Sequence, residues 1–305
     1  MKKIIAGLLL TLLISSQTFA QQDPIYGQYI FNNSIINPAQ AGVQSQNQFG
    51  ILHRNQWLGI NGAPTTNSMF LNMRLPKNLG MALGVYNDKI GPISEVSFQG
   101  DIASHVKLTE NWSLSGGVRT MVTNMQANLT SLQLYQSQDP NFSTNLNTGL
   151  FVNMGAGVLL YSNKYFIGGS IPKIISKEIG DGNKIISEYQ RHVFIYGGAN
   201  FKLNEDFIFT PSILFKTTTD APLQFDMNFV FDYKNTFDVG PMLRSKDAIG
   251  FLVGYKINPN FYLGYMYEYP LSDIQLASRQ THEISLRVLW EAKNKSRIYS
   301  PRYFF

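Results

Sequence analysis

The sequence predicts an all-β fold, a transmembrane outer-membrane β-barrel of about 14 antiparallel strands with short periplasmic turns and longer extracellular loops. Three observations predict it. The first is strict alternation of apolar and polar residues over stretches longer than the strands of a soluble sandwich. The second is composition: 21 Phe, 16 Tyr and 3 Trp accompany only 15% charged residues, against roughly 25% in an ordinary globular chain. The third is the regular recurrence of strand candidates whose connections are alternately short and long.

Residues 1–20 open with Met1-Lys2-Lys3, an apolar run and small residues up to Ala20. They read as a secretory signal peptide rather than a short membrane anchor. No other stretch reaches about 18 uninterrupted apolar residues, so no transmembrane helix is expected. The chain has no cysteine, which excludes disulfides, thiolate metal sites and thiol nucleophiles. Lys2 and Lys3 account for two of the formal charges in a total of +5, too small a charge for a nucleic-acid partner.

Residues 21–47 lack period two. Asp23-Pro24 and Asn37-Pro38 are turn formers, while Tyr26, Tyr29, Ile30, Phe31, Ile35 and Ile36 supply apolar content. This N-terminal segment is either a plug that enters the barrel or a periplasmic lead.

The barrel proper covers residues 48–290. Its first seven strand candidates are 48–57, 66–75, 80–87, 94–108, 112–128, 150–161 and 165–171. Seven more follow at 191–203, 207–216, 224–233, 236–245, 248–257, 261–269 and 281–290. The clearest pair spans 95–122. Val96, Phe98, Ile102, Val106 and Leu108 alternate with Glu95, Ser97, Gln99, Asp101, His105 and Lys107, and the pattern resumes at Trp112. Phe225, Met227, Phe229 and Phe231 likewise face away from Asp226, Asn228 and Asp232. The first strand is noisier, with His53 and Asn55 on its otherwise apolar face. Even-numbered connections, such as 76–79, 109–111 and 234–235, are short. Odd ones, such as 129–149, 172–190 and 270–280, are long and polar, with 246–247 the short exception. Residues 291–305 form a C-terminal periplasmic tail.

With the apolar faces toward lipid, the inward set includes Arg54, Arg74, Arg119, Arg244 and Arg287 alongside Asp101, Asp226, Asp232, Asp238, Glu268 and Glu283. Signs interleave, as for charges paired across a packed or plugged lumen, whereas an ion-selective pore carries a ring of one sign. Inward Phe151, Phe166, Phe194 and Tyr196 add bulk.

Motifs for chemistry are sparse. His282-Glu283 begins like a zinc helix, but the second histidine is absent and the segment reads as strand. The four histidines read as polar or interface side chains. Asp181-Gly182-Asn183 is turn chemistry, since the later ligands of a calcium loop are missing. The pairs Gly116-Gly117, Gly168-Gly169 and Gly197-Gly198 lie within strands and mark bends or inward close approach, not phosphate loops. No enzyme, metal or cofactor is expected.

Three stretches resemble the PorP/SprF family. Asp23-Pro24-Ile25-Tyr26-Gly27-Gln28-Tyr29, leading to Asn37-Pro38-Ala39-Gln40-Ala41-Gly42, is similar to the start of its mature members. Arg54-Asn55-Gln56-Trp57 resembles the first-strand motif, and Thr281-His282-Glu283-Ile284 the start of the last strand. Position 40 departs from the pattern, carrying Gln where an aromatic is expected. The resemblance implies an outer-membrane barrel of the type IX secretion and gliding apparatus of Bacteroidota. It also implies large secreted adhesins with a C-terminal sorting domain as cargo. Further implied partners are a periplasmic, OmpA-like peptidoglycan-binding protein and the periplasmic ring.

Two groups of residues are candidates for partner binding. Arg54, Gln56 and Trp57 form a contact or plug-holding cluster, or else simple barrel architecture with Arg54 paired to a lumen acid. Arg302, Tyr303, Phe304 and Phe305 end a basic, aromatic tail suited to a partner groove, or else an assembly signal. The functional expectation is a non-enzymatic docking barrel for secreted cargo. A channel for small or hydrophobic solutes is the alternative, and an outer-membrane hydrolase a third reading.

Overall fold

The structure is a computed structural model that describes residues 26–132, 144–181, 184–218, 221–278 and 280–291. In chain order the strands are β1 (Gln46–Asn55), β2 (Thr65–Leu75), β3 (Leu79–Ile90), β4 (Ile93–Lys107), β5 (Ser113–Ala127), β6 (Leu146–Tyr161) and β7 (Tyr165–Ile171). Next come β8 (Lys177–Asp181), β9 (Lys184–Tyr189), β10 (Val193–Ala199), β11 (Phe201–Lys202), β12 (Phe207–Thr218) and β13 (Ala221–Tyr233). The chain closes with β14 (Phe237–Arg244), β15 (Ala248–Asn258), β16 (Phe261–Pro270) and β17 (Thr281–Glu291).

Sequence neighbours pair antiparallel all the way round. β1 pairs with β17, and β10 with β12, so the sheet closes on itself and leaves no edge. β10 and β11 are two pieces of one barrel strand, interrupted at Asn200, which makes a closed barrel of 14 strands. Each of the expected strands is present, with ends shifted by a few residues.

The polarity is the reverse of a soluble protein's. Val118 and Val158 on the outer face are 63% and 58% exposed, and Phe229 and Leu263 also look outward. The inward neighbours Ser115, Asp101, Arg119 and Glu283 are buried. Such an exterior is stable only against hydrocarbon, and closure satisfies the backbone there.

Turns at one end are tight. Lys77-Asn78 and Lys234-Asn235 have both central residues at positive φ, between 51° and 60°, the type I′ geometry that matches strand twist. At the other end the structure differs from the expected pattern in two ways. Strand pairing continues farther out, so the connections at 91–92 and 219–220 are short as well as 245–247. Residues 172–190, expected as a plain loop, contain the separate hairpin β8–β9. Both have one cause: beyond the membrane, hydrogen bonding along a ladder continues without any need for lipid-facing alternation, so period two fades while pairing persists.

Inside the barrel lies the N-terminal segment. It forms short 3₁₀ turns at Gly27–Phe31, Asn33–Ile35 and Pro38–Gln40. Tyr26 stacks on Tyr86 of β3 toward the loop end, ring centroids 6.4 Å apart. Val43 lies beside Arg74 at the turn end, where β1 begins. The molecule's main apolar core is therefore in the lumen: Tyr29, Ile30, Phe31, Ile36 and Ala39 pack on Leu159, Tyr196, Leu214, Met242, Leu252 and Met266 of the wall.

Candidate functional site

The lumen gathers nearly all the charged side chains that strand alternation turns inward. Toward the loop end, β1, β13, β14, β16 and β17 supply one connected cluster. Arg54 donates to Glu283 and, at 2.8 Å, to Glu268. Arg244 reaches Glu268 at 3.4 Å, Asp226 at 3.1 Å and the partly exposed Asp247 at 3.7 Å. Among the fully enclosed members, two guanidinium groups face the three carboxylates Asp226, Glu268 and Glu283. The remaining demand falls on Glu283, and the N-terminal segment meets it. The backbone N–H groups of Gly27 and Gln28 donate to its two oxygens at 2.6 and 2.9 Å. Charge-assisted bonds of this kind are the strong ones.

A second cluster lies across the lumen. Registration of β4 against β5 sets Asp101 opposite Arg119, and two bonds of 2.8 Å join them in a fork. The outer edge of the same guanidinium donates to the carbonyls of Ser34 and, at 2.8 Å, Ile35. Lower down, Arg74 donates to the carbonyls of Gly42 at 3.1 Å and Val43 at 3.0 Å, while Asn72 accepts from the Gly42 N–H at 2.7 Å. Ser115 donates to the Ala39 carbonyl, Ser170 to that of Ile36, and His105 Nε2 lies 2.9 Å from that of Ala41. Asn37 bridges the other way, donating to the Val158 carbonyl at 3.0 Å and the Tyr196 hydroxyl at 3.1 Å. Gln40 donates to that hydroxyl at 2.7 Å, so the departure at position 40 has a lumen partner of its own. Arg287 is sandwiched between Phe31 of the segment and Tyr262 of the wall, 4.2 and 3.9 Å from their centroids.

Glycines in the wall make room. A Cβ on Gly117 would run into the backbone of Pro38-Ala39, and one on Gly80 into that of Ala41. Gly117 is thus the inward close approach read from the sequence, whereas its neighbour Gly116 faces open space outside. Gly42, at φ +70°, turns the segment out of the lumen toward β1.

The candidate partner-binding residues are distributed as follows. Arg54 is 2% exposed, inside the lumen, and is linked through Glu283 to the segment. Gln56 and Trp57 lie above it at the rim. The Gln56 N–H donates to the Pro64 carbonyl and the Trp57 N–H to Thr281 Oγ1. Arg302, Tyr303, Phe304 and Phe305 lie outside the described residues, as does the 182–183 portion of the calcium-like turn. Sequence reasoning missed the neutral anchors Asn72, Ser115, Ser170 and Asn37, as well as His105. The available signal was their alternation phase, which places the wall residues on the inner face. Among the described residues no group of His, Asp and Glu is arranged to hold a metal ion.

A closed barrel, apolar without and polar within, whose bore is filled by its own N-terminal segment, is an integral outer-membrane protein. Within that class, the chain belongs to the PorP/SprF family of type IX secretion system membrane proteins, whose family model matches residues 18–288. No curated protein matches the sequence. The fold is similar to a Pseudomonas aeruginosa FadL homologue, at 10% identity and TM-score 0.51 over 88% of this chain and 95% of that one. It is also similar to the CymD monoaromatic hydrocarbon channel, at 9% identity and TM-score 0.50 over 90% and 96% of the two chains. The Ralstonia pickettii toluene transporter TbuX gives 9% identity and TM-score 0.50 over 88% and 94%. At such identities the likeness is one of fold.

Proposed function

We propose that the barrel is a non-enzymatic docking element of the type IX secretion and gliding machinery. It receives or anchors secreted adhesin-type cargo at the cell surface and links that cargo to periplasmic components. The observation that carries this reading is the engagement of the lumen's polar groups by the chain's own segment, from Glu283 down to Arg74. With the segment in place the bore is occupied, and the two ends are the surfaces open to partners.

At the loop end, residues 56–64 are tied to the last loop by the Leu58 N–H on the Gln280 carbonyl at 2.8 Å and by Ser278 Oγ on the Leu58 carbonyl at 2.8 Å. The receiving surface for cargo with a C-terminal sorting domain is formed by residues 129–149 and 172–190, the latter carrying the hairpin β8–β9, which leaves the barrel between β7 and β10, across the mouth from this braced rim. At the turn end, Lys202 pairs with Glu205 at 2.8 Å and Lys234 with Asp206 at 3.6 Å, a fully aqueous charged face. The Lys202 ammonium holds the exposed Glu205 carboxyl below its ordinary value, so this face keeps both signs at neutral pH. With the tail 291–305, it meets the periplasmic OmpA-like peptidoglycan-binding protein and the ring.

The test is cross-linking and mass spectrometry of the tagged protein from native outer membranes. Replacing residues 177–189 with a short Gly/Ser linker is expected to remove secreted cargo from the captured set while leaving a heat-modifiable barrel. Deleting residues 296–305 is expected to remove periplasmic components and spare the cargo. Cargo retained without the hairpin, or periplasmic components retained without the tail, rejects the corresponding surface.

A further inference from the structure

Most of the charged wall groups that reach the segment bind its main chain, while its side chains meet mostly neutral and apolar partners. Arg119, Ser170, Ser115 and Arg74 donate to its carbonyls, and Glu283 and Asn72 accept from its N–H groups. Gly80 and Gly117 bring wall backbone against segment backbone. From Tyr26 to Val43 the segment holds no charged residue, although the wall around it carries Arg54, Arg74, Arg119, Arg287, Glu268 and Glu283. A charged wall around an uncharged chain is satisfied by peptide dipoles. Those dipoles belong to every polypeptide, so the charged part of the wall selects for an uncharged chain able to fold into short turns.

We propose that the lumen is a polypeptide-binding site, which residues 26–43 occupy in cis and which accepts a neutral segment of another chain in their place. Side chains set the limits of choice. An aromatic ring completes the stack on Arg287, and a small or amide-bearing run follows where Gly117 and Tyr196 crowd the path. Exchange starts at the Tyr26 end. There a cavity of about 80 Å³ opens beside the segment, lined by Tyr26, Tyr86, Asp88, Glu95 and Lys173. The proposal does not depend on cargo docking at the loops, and its failure would leave that reading standing.

The test uses the full chain in detergent and a fluorescent peptide of the sequence 26–43. Phe31→Ala with Ile36→Ala weakens the resident segment from its own side and leaves the wall intact. The peptide is expected to bind this variant at least about tenfold more tightly than the parent. Should that pair fail to give a heat-modifiable barrel, Gln40→Ala carries the same comparison, since it removes only the bond to Tyr196. On either background, Ser34→Cys with Asn72→Cys provides a lock. Those side chains touch at 2.8 Å, and the chain has no cysteine to interfere. Binding lost on oxidation and regained on reduction supports the proposal, as does about tenfold weaker binding of a peptide carrying Asn37→Asp and Gln40→Glu. No binding to the weakened variants, or equal binding to the locked and reduced forms, overturns it.

Discussion

Glu283 carries the heaviest electrostatic demand in the lumen. It is fully buried and shares Arg54 with Glu268, and its other partners are the two N–H groups of Gly27 and Gln28. Removing it leaves Arg54 and Arg244 facing Asp226 and Glu268, while the buried N–H groups of Gly27 and Gln28 lose their acceptor, at a cost of about 1–3 kcal/mol each. Glu283→Ala is therefore expected to lower the temperature of the heat-modifiable gel shift and to open the N-terminal segment to protease. Unchanged protection would mean that the carboxylate does not hold the segment. Trp57 poses a different question. A bulky residue at φ 54° is strained by roughly 1–3 kcal/mol. Trp57→Gly removes that strain together with the indole. A barrel at least as heat-stable as the parent that captures less partner would assign the ring to contact, whereas undiminished capture would assign it to the rim alone.

The element that decides the character of the molecule is the segment 26–43. It is too irregular to pair as a strand, yet wall side chains bind its backbone at both ends and along its length, from Gly27 to Val43. Its fit is tested by a matched pair of glycines. Gly117→Ala pushes a methyl into the Pro38-Ala39 backbone, and overpacking of this kind costs about 1–3 kcal/mol. Gly116→Ala places the same methyl in open space on the adjacent outward position. The inward variant is expected to release the segment to protease and the outward one to behave as the parent, measured side by side in detergent. Equal behaviour would show that the glycine provides no close approach.

At the scale of the whole molecule, the segment occupies the polar interior and bonds to the wall from Glu283 to Arg74. The parent protein is expected to be silent in planar bilayers. Gly117→Ala and Glu283→Ala are expected to show intermittent conductance as the segment comes loose. An outer-membrane channel would instead conduct in its native form, so steady conductance of the parent would favour that alternative over docking.

Strand positions and facing were legible in the sequence because the membrane imposes them. Hydrocarbon on one side and an enclosed polar space on the other turn each strand into an alternation, as at Val96–Leu108 and Phe225–Tyr233, and that signal is local. The inward phase of Arg119, Arg74 and Glu283 could be read in the same way. Their partners could not. The bonds from Arg119 to Ser34 and Ile35, and from Gly27 to Glu283, join residues distant in sequence through backbone groups that every residue shares. Nothing in the identity of Gly27 or Ile35 announces them. Alternation alone was enough to establish a membrane barrel and the facing of its strand residues. That the bore is filled, and by which residues, emerges from the folded chain, because recognition through backbone groups leaves no periodic mark in the residue order.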